Sequence, residues 1–324
     1  MKPKVFLTRQ LPPEPMKRLA EQADLTVNPH DRYLTKAEII DGIRGVDGLL
    51  CLLTDTIDGE IMDANPDLKV IANFAVGYNN IDVAAATQRK IPVTNTPGVL
   101  TDSTADMAWA LLMAAARRVA EGDRFVRTRQ WGGWGPLQFM GTEVTGATLG
   151  LIGMGRIAQA VAKRAAGFNM PVIYWNRTRL SAADEQRLDV QYRSFDEVLR
   201  SSDYVSIHVA LCDETRHLIG RRELSLMKPT STIINTARGP VIDEKALVVA
   251  LQDGTIQSAG LDVYENEPQL EPELYDMDNV VIAPHLGSAT VATRTKMGNM
   301  AVENCLAVCN GNRPPNLVNP DIYA

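Results

Sequence analysis

The stretch from Thr148 to Ala158, TLGLIGMGRIA, limits the possible folds of this 324-residue chain more than any other part of it. It passes from an apolar strand into a glycine turn and then directly into a helix. Gly153 permits the tight turn, Gly155 lets the backbone approach a pyrophosphate, and the small Ala158 lets the helix pack on the strand. The following helix, expected from Arg156 to Gly167, points its free N–H groups and its positive dipole end at phosphate. The stretch therefore predicts a dinucleotide-binding crossover.

Short β-rich runs alternate with helical segments on both sides of this stretch, which is the pattern of parallel sheets with crossover helices. The first hundred residues show the alternation without a dinucleotide fingerprint, and a long helix expected at about residues 290–310 is predicted to return to them. We therefore expect an α/β protein with two doubly wound parallel-sheet domains. A smaller, flavodoxin-like substrate domain takes residues 1–98 and 286–324, and a Rossmann dinucleotide-binding domain takes residues 99–285, so that two crossings form a hinge.

Two segments at the start of the second domain depart from the alternation. Thr101 to Val119 predicts a long helix with a polar start and an almost continuous apolar middle, typical of a helix buried between domains. Residues 122–146 carry Trp131, Trp134 and Phe139 and show no clean period. Aromatic side chains on a long connection indicate a surface for a partner. The alternative is that they fold back on their own domain.

Composition and charge exclude several classes of protein. The chain is 45% hydrophobic and 22% charged, and it has no apolar run long enough to span a membrane. A formal charge of −6 without a sustained basic run argues against nucleic acid or an anionic membrane as the main partner. Four scattered cysteines predict no disulfide framework and agree with a reducing, cytoplasmic location. Cys305 and Cys309 lack a nearby histidine, so we expect no metal site there.

Ionisable residues follow three successive strands of the predicted dinucleotide-binding sheet. Arg238 comes after STIINTA, Glu265 and Glu267 come after GLDVY, and His285 comes after VVIAP. Because ligands of open α/β sheets bind beyond the carboxyl ends of the strands, we expect these side chains to share one site. A guanidinium can hold a carboxylate and polarise the adjacent carbonyl, and an imidazole can exchange a proton with the carbonyl oxygen. A carboxylate beside the imidazole favours its protonated form and fixes its orientation.

Each of these residues also has an ordinary structural explanation. Arg238 could be a surface residue at a strand end, and a lone histidine such as His285 is more often structural than catalytic. Glu265 and Glu267 are equally good carboxylate candidates by sequence alone. The equivalent positions on neighbouring strands favour the shared site. His208 lies inside the apolar run YVSIHVAL and is expected in the core.

Several segments together resemble the D-isomer-specific 2-hydroxyacid dehydrogenase family, most closely its glyoxylate/hydroxypyruvate reductase branch, over essentially the whole length. The segments are FAVGYNNIDV, NTPGVLTDSTADMAWALLMAAARR, GLIGMGRIAQAVAKR, LMKPTSTIINTARGPVIDEKAL, GLDVYENEP and APHLGSAT. The resemblance implies that Arg238 binds the substrate carboxylate, that His285 is the general acid/base, and that Glu267, the second acid of the ExEP element, is its partner.

The resemblance also implies the substrate and cofactor contacts. The substrate carboxylate would be received by the backbone of Val76 and Gly77, with Leu53 and Ser288 nearby. Trp134 resembles a tryptophan that reaches a neighbouring subunit's site from a dimerisation arm, which implies a homodimer. The implied cofactor-binding residues are Thr104, Gly153, Gly155, Arg156, Ile157, Asn176, Arg177, Thr178, Val209, Thr215, Thr236, Ala237, Asp262 and Gly287.

The end of the strand VIYW bears on the choice of dinucleotide. An acidic residue there would bind the ribose hydroxyls of NADH, but this chain continues with Asn176, Arg177 and Thr178. Arg177 can pair with a 2′-phosphate, so NADPH is favoured and NADH remains possible. The alternative is a solvated basic turn without selectivity. The chain also has Ala210 where the family commonly has proline, so the loop from Ala210 to Thr215 is expected to be less rigid.

The leading hypothesis is an NADPH-dependent reductase of small 2-oxo acids, glyoxylate or hydroxypyruvate. A 2-ketogluconate reductase is the nearest alternative within the enzyme class, because pocket size cannot be read from a sequence. D-lactate or phosphoglycerate dehydrogenases fit less well. From another class, the same fold serves as a dinucleotide-sensing corepressor, which would bind the dinucleotide with little turnover.

Overall fold

The computed structural model describes residues 1–323 and divides them into two compact units. The first unit comprises Met1–Leu100 together with the chain from Ala289 onwards, and the second unit comprises Thr101–Ser288. Each unit contains one parallel sheet covered by helices, and this confirms the predicted α/β class with two parallel-sheet units.

The first unit is built on a sheet of five parallel strands in the order β2-β1-β3-β4-β5. Its elements are β1 (Lys4–Leu7), α1 (Pro13–Gln22), β2 (Asp24–Val27), α2 (Lys36–Ile43), β3 (Gly48–Leu52), α3 (Gly59–Asp63), β4 (Val70–Phe74), α4 (Val83–Gln88) and β5 (Val93–Thr94). The strand order is the flavodoxin-like one, with the change of direction beside β1.

Apolar residues cover both faces of the first sheet, as a parallel sheet requires. One face packs on α2, α3 and α4 through residues such as Ile39 and Ile61. The other face packs on α1 and on the late helix of this unit through Leu19 and Val302. Helix α2 begins at a complete capping box, in which Thr35 and Glu38 satisfy each other's backbone amides.

The second unit contains a sheet of seven parallel strands in the order β12-β11-β10-β9-β6-β7-β8, the Rossmann order with one further strand. Its elements are α5 (Thr101–Ala116), α6 (Val119–Arg127), β6 (Leu149–Ile152), α7 (Arg156–Ala165), β7 (Val172–Trp175), α8 (Ala182–Leu188), β8 (Val190–Tyr192), α9 (Phe195–Ser201), β9 (Tyr204–Ile207), α10 (Arg221–Leu226), β10 (Thr232–Asn235), α11 (Glu244–Gln252), β11 (Ser258–Leu261) and β12 (Val280–Ile282). The last helix of the chain, α12 (Val291–Cys309), belongs to the first unit.

Helix α5 packs against α7, β10 and β11 within the second unit. The Trp109 indole donates to the Val161 carbonyl (3.1 Å), and its ring stacks on Phe168 at a centroid distance of 4.8 Å. The side chains of Ala105, Ala108 and Leu112 are buried. The apolar middle predicted from the sequence is therefore a core face of this unit.

Two predicted boundaries are wrong. The helix expected to reach Val119 ends at Ala116, because Arg118 adopts a left-handed backbone (φ 52°) that interrupts it. The chain then forms α6 across the start of a segment expected to lack regular structure. Sequence periodicity missed α6 because this helix is only nine residues long and runs into the segment without a clean period. It buries none of its residues, and the ion pairs Arg118–Glu121 and Arg127–Asp123 hold its turns.

The end of α7 also differs from the prediction. The helix was expected to stop at Gly167, but α7 ends at Ala165, a short 3₁₀ turn spans residues 166–168, and Asn169 takes the left-handed position (φ 53°). Asparagine tolerates this conformation because its side chain can bond locally. Throughout residues 1–323, no helix is both long and apolar enough to cross a membrane.

Candidate active site

The glycine turn between β6 and α7 has the geometry that the sequence predicts. Gly153 has a φ of +93°, and a Cβ there would lie 2.7 Å from the His208 carbonyl oxygen, so only glycine fits. A Cβ at Gly155 would meet no atom within 4 Å, so open space lies in front of the turn. Gly155 also precedes α7 without a side-chain cap. The amides at the start of α7 are therefore available to a phosphate.

Further features around this turn fit a bound dinucleotide. The Asn176 side chain accepts from the Met154 amide (3.2 Å) and donates to the Thr178 carbonyl (2.7 Å), which ties the end of β7 to the glycine turn. The Thr236 hydroxyl is buried without a hydrogen-bond partner among the described residues. An orphaned buried hydroxyl is costly unless a ligand or water satisfies it. These residues fit the predicted cofactor.

The loop after β9 lies beside the same region. The Thr215 hydroxyl donates to the Ala210 carbonyl (2.7 Å) and accepts from the Cys212 amide (2.8 Å), which closes the loop on itself. A hydrogen bond from Cys212 and, more weakly, the charge of Arg177 lower the pKa of Glu214. The greater mobility expected from Ala210 in place of proline stays a prediction.

The other predicted cofactor residues occupy the surroundings of the turn. Arg156 is exposed on the first turn of α7, Ile157 packs on the apolar cluster of that helix, and Val209 packs on the cluster beneath β9. His208, expected in the core, is half-buried; its Nε2 lies 2.8 Å from the Ser206 hydroxyl and its carbonyl faces Gly153. Burial lowers the pKa of His208 to about 4, so this imidazole is neutral at pH 7.

Asp262 holds the loop that carries His285. Its carboxylate accepts from the amides of Leu286 (2.6 Å) and Gly287 (2.7 Å), and its own carbonyl accepts from the His285 amide (3.0 Å). The Thr104 hydroxyl donates to the Gly287 carbonyl (3.1 Å). Burial raises the pKa of Asp262, and the two amide bonds oppose that shift. The structure thus brings three predicted cofactor residues together beside His285.

His285 and Glu267 form a direct pair. His285 Nδ1 lies 2.9 Å from Glu267 Oε2, and the other carboxylate oxygen accepts from the Tyr264 amide (3.1 Å). Burial is the largest single influence on Glu267 and opposes its ionisation, but the hydrogen bond and charge of His285, the Tyr264 amide and the charge of Arg238 together outweigh it and lower the pKa of that carboxyl. His285 has a left-handed backbone (φ 55°). The pair uses Nδ1, so Nε2 is the nitrogen left to face a ligand.

Arg238 follows β10, the strand next to β11, and its guanidinium donates to the Ala237 carbonyl (2.7 Å). Burial lowers the pKa of Arg238, and the nearby Glu267 carboxylate opposes that shift. A guanidinium keeps its charge throughout the range in which proteins are stable. The three strands that precede Arg238, Glu267 and His285 are adjacent in the sheet, so one edge presents all three side chains.

Glu265 and Glu267 could not be told apart by sequence, and they differ in the structure. Glu265 Oε1 lies 2.6 Å from His217 Nε2 and not on His285. Glu244, a buried carboxylate at the start of α11, accepts from the amides of Glu265 and Glu271. Sequence reasoning missed His217 and Glu244, because an acid in the first turn of a helix is ordinary and no motif marked the histidine.

The predicted substrate residues of the first unit lie at the carboxyl edge of its sheet. Asn95 donates to the Val76 carbonyl (2.8 Å), and Asn73 donates to the Gly77 carbonyl (2.9 Å). Within residues 1–323, the amides of Val76 and Gly77 donate to no protein acceptor. Leu53 directly follows β3, the neighbour of β4.

The two remaining predicted substrate residues lie in the second unit. Ser288 is half-buried at its end. Trp134 is 84% exposed in the single chain.

A Rossmann sheet with a phosphate-binding glycine turn, and an arginine and a histidine–carboxylate pair at adjacent strand ends, together define an oxidoreductase that uses a nicotinamide dinucleotide. The comparisons with known proteins agree. The model of the D-isomer specific 2-hydroxyacid dehydrogenase NAD binding domain matches residues 109–287. The chain belongs to the D-isomer-specific 2-hydroxyacid dehydrogenase family, as its sequence predicts, and is an NAD(P)-dependent enzyme.

Relatives extend the match to the whole chain. The glyoxylate reductase of Thermococcus litoralis is 48% identical over 99% of this chain and 98% of its own length. A solved structure of a Thermus thermophilus protein superposes with a TM-score of 0.91 at 46% identity, covering 97% of this chain and 99% of the other. The NADPH-dependent glyoxylate/hydroxypyruvate reductase of Sinorhizobium meliloti, solved with NADP and malonate, gives a TM-score of 0.88 at 33% identity over 98% and 97% of the two chains.

Proposed function

We propose that this protein is an NADPH-dependent reductase of small 2-oxo acids, with glyoxylate and hydroxypyruvate as substrates. The observation that carries the proposal is the His285–Glu267 pair, which together with Arg238 follows three adjacent strands, at the same sheet edge as the glycine turn. The Thermococcus relative is a glyoxylate reductase and the Sinorhizobium relative is a glyoxylate/hydroxypyruvate reductase, which supports the substrate class.

The proposed proton chemistry follows from the hydrogen bonding of His285. Glu267 fixes the ring through Nδ1, so Nε2 donates a proton to the substrate carbonyl oxygen as that carbon becomes an alcohol carbon. The ionised Glu267 stabilises the imidazolium before transfer. When bound, the reduced nicotinamide supplies the hydride. In the reverse direction the neutral imidazole accepts the proton.

Arg238 is proposed to bind the substrate carboxylate and to polarise the adjacent carbonyl. A buried guanidinium offers paired N–H donors that match a carboxylate, and burial strengthens the interaction. As the family resemblance implies, we also propose that Val76, Gly77 and Leu53 of the first unit, and Ser288 and Trp134 of the second unit, bind the substrate. The amides of Val76 and Gly77, which donate to no protein acceptor within residues 1–323, and the exposed ring of Trp134 support this role.

The preference for NADPH rests on the residues after β7. No carboxylate follows the strand, Asn176 braces the glycine turn, and Arg177 is exposed. Arg179 is already paired with Glu185 (2.7 Å). Arg177 is therefore the cation assigned to the 2′-phosphate.

The variant Arg177→Ala tests this assignment. Loss of a charge-assisted hydrogen bond should raise the KM for NADPH about 10- to 100-fold, with less than about a twofold change for NADH. Arg187→Ala is the matched control, because Arg187 pairs with Asp184 of its own helix. Equal losses for both dinucleotides would refute the assignment.

The substrate class is tested by following the absorbance of reduced nicotinamide with glyoxylate, hydroxypyruvate, 2-ketogluconate and pyruvate, each with NADPH and with NADH. We expect the highest kcat/KM for glyoxylate or hydroxypyruvate with NADPH. If 2-ketogluconate is turned over fastest, the proposed substrate changes to 2-ketogluconate and the proposed chemistry stays the same. NADPH binding without turnover of any 2-oxo acid would favour a dinucleotide-sensing protein.

We also propose that residues 119–146 bind a second copy of the chain. Several large apolar side chains are exposed there, namely Val119, Val126, Trp131, Trp134, Leu137 and Met140. An apolar surface of this kind marks an interface. Light scattering should give twice the mass of one chain, and replacing Trp131 and Leu137 by Ser should shift the protein towards monomer. A wild-type monomer at micromolar concentration would reject the proposal.

A further inference from the structure

A second carboxylate–imidazole pair lies two residues before the catalytic carboxylate. His217 Nε2 is 2.6 Å from Glu265 Oε1, and Glu265 is separated from Glu267 by Asn266 alone. The side chains of His217 and Glu265 are 42% and 20% exposed. The chemistry described above makes no use of this pair.

A buried carboxylate holds both ends of the loop that contains Glu267. Glu244 is 3% exposed, and its two oxygens accept from the amides of Glu265 and Glu271. The Glu244 amide donates to Glu265 Oε2 at 3.3 Å. A carboxylate taken out of water needs such donors, because burial alone raises the pKa of Glu244 and favours the neutral acid. The start of α11 therefore fixes the segment from Glu265 to Glu271.

The same pair connects this loop to the one that carries Arg238. The His217 amide donates to the Pro240 carbonyl (2.8 Å), and the Ile219 amide donates to the Val241 carbonyl (3.0 Å). A Cβ added at Gly239 would lie 1.8 Å from the carbonyl of Tyr264, so the Arg238 loop and the Glu265 loop are in direct contact. Glu265 thus links its own loop, which also contains Glu267, to the segment of His217 and to the start of α11 at Glu244.

We infer that Glu265 is a positioning residue for the catalytic pair, an inference that rests on the proposed function. Held by His217 and by the start of α11, Glu265 fixes the backbone from which Glu267 reaches His285. Glu267 in turn holds the imidazole through Nδ1, so the direction of Nε2 depends on this loop. Catalytic groups need placement within about 0.5 Å, and supporting contacts outside the site supply it.

The kinetic test compares Glu265→Ala, Glu265→Gln and His217→Ala in the full-length protein. Glu265→Ala should lower kcat for glyoxylate about tenfold and leave the KM for NADPH within twofold, because the cofactor turn is untouched. Glu265→Gln keeps an oxygen for the Glu244 amide and should restore part of the lost kcat. His217→Ala should lower kcat about threefold, and His30→Ala, at the exposed histidine of the first unit, is the matched control.

A readout without substrate separates this inference from the proposed function. The protein has four histidines, so ¹⁵N-labelled imidazoles can be assigned by removing each in turn. Glu265→Ala should shift the ring ¹⁵N signals of His285 and broaden its Nδ1–H resonance, whereas His30→Ala should change neither. Unchanged His285 signals together with unchanged kcat would overturn the inference. Wild-type protein that turns over no 2-oxo acid while Glu265→Ala moves the signals would overturn the proposed function and leave the positioning intact.

Discussion

The two carboxylate–histidine pairs of the second unit are built alike but engage different ring nitrogens. His285 and His217 both have left-handed backbones (φ 55° and 50°), and both contact acids of the same short loop. His285 contacts its acid through Nδ1 and directs the distal Nε2 away, whereas His217 uses Nε2 itself. The side chain of His285 is also less exposed, at 26% against 42%.

The nitrogen used decides what each pair can do. An imidazole held through Nδ1 keeps the nitrogen at the far end of the ring for a ligand, and the carboxylate behind it fixes the orientation of the ring. An imidazole held through Nε2 at an exposed site has used that far nitrogen on the protein. A short histidine–carboxylate distance alone therefore does not identify a proton donor. The ring nitrogen that contacts the carboxylate and the exposure of the imidazole must be considered as well.

Removing the two histidines gives the largest contrast. His285→Ala should lower kcat about 10³-fold, because general acid catalysis contributes about 10² to 10⁴. NADPH binding, followed by nicotinamide fluorescence, should stay within twofold. Stopped-flow turnover with glyoxylate measures the loss. A His285→Ala enzyme that retains more than a tenth of wild-type kcat would assign the proton to another group.

The second largest contrast is expected between Glu267→Gln and Glu265→Gln. Glu267→Gln should lower kcat about 10²-fold and move the alkaline limb of kcat/KM for reduction to lower pH. Reduction needs the protonated imidazole, and loss of the ionised Glu267 makes protonation harder. A pH profile from 5 to 9 records the limb. If the alkaline limb of kcat/KM does not move in Glu267→Gln, or moves equally in Glu265→Gln, the two pairs do not differ in the way proposed.

The stability of the protein in acid should also depend on Glu267. The folded state lowers the pKa of Glu267, so its contribution to folding is present above the unfolded value of about 4.3 and is lost as the pH falls through the lower folded value. Glu267→Gln should therefore lose less stability than wild type between pH 5 and pH 3. Urea unfolding across this range gives the free energies, and parallel curves for the two proteins would contradict the assignment.

The smallest expected effect is that of His217 on stability. Exposed ion pairs contribute about 0–1 kcal/mol, so His217→Ala should lower the Tm by no more than about 4 °C. Calorimetry of His217→Ala beside His30→Ala measures it. A fall of 10 °C or more would show that the pair holds the fold together, and the change in kcat would then have a structural cause.

The sequence predicted those features that repeat or that need a particular residue. Strand and helix alternation predicted both sheets, and the glycine pattern between strand and helix identified the tight turn at Gly153. Adjacent strand order placed Arg238, Glu267 and His285 on one edge. The family comparison confirmed the class of enzyme, while the roles of the individual residues stay predictions.

The features that stayed out of reach depend on long-range contacts. Glu265 and Glu267 have the same chemistry and nearly the same position, and only the direction in which the loop turns assigns each to its histidine. Helix α6 was missed because it is only nine residues long and continues directly into a segment without a clean period. The position of His217 depends on bonds to a segment more than twenty residues away along the chain.

The division of the chain between its units has a consequence for synthesis on the ribosome. Helix α12 supplies Met297, Val302 and Leu306 to the core that strands β1, β3 and β4 begin, so the first unit lacks part of its interior until the whole second unit has been translated. The second unit is one uninterrupted segment and can fold as it emerges. The first unit therefore begins synthesis first but completes its core last. Until α12 has been made, the sheet face that this helix covers is exposed to chaperones.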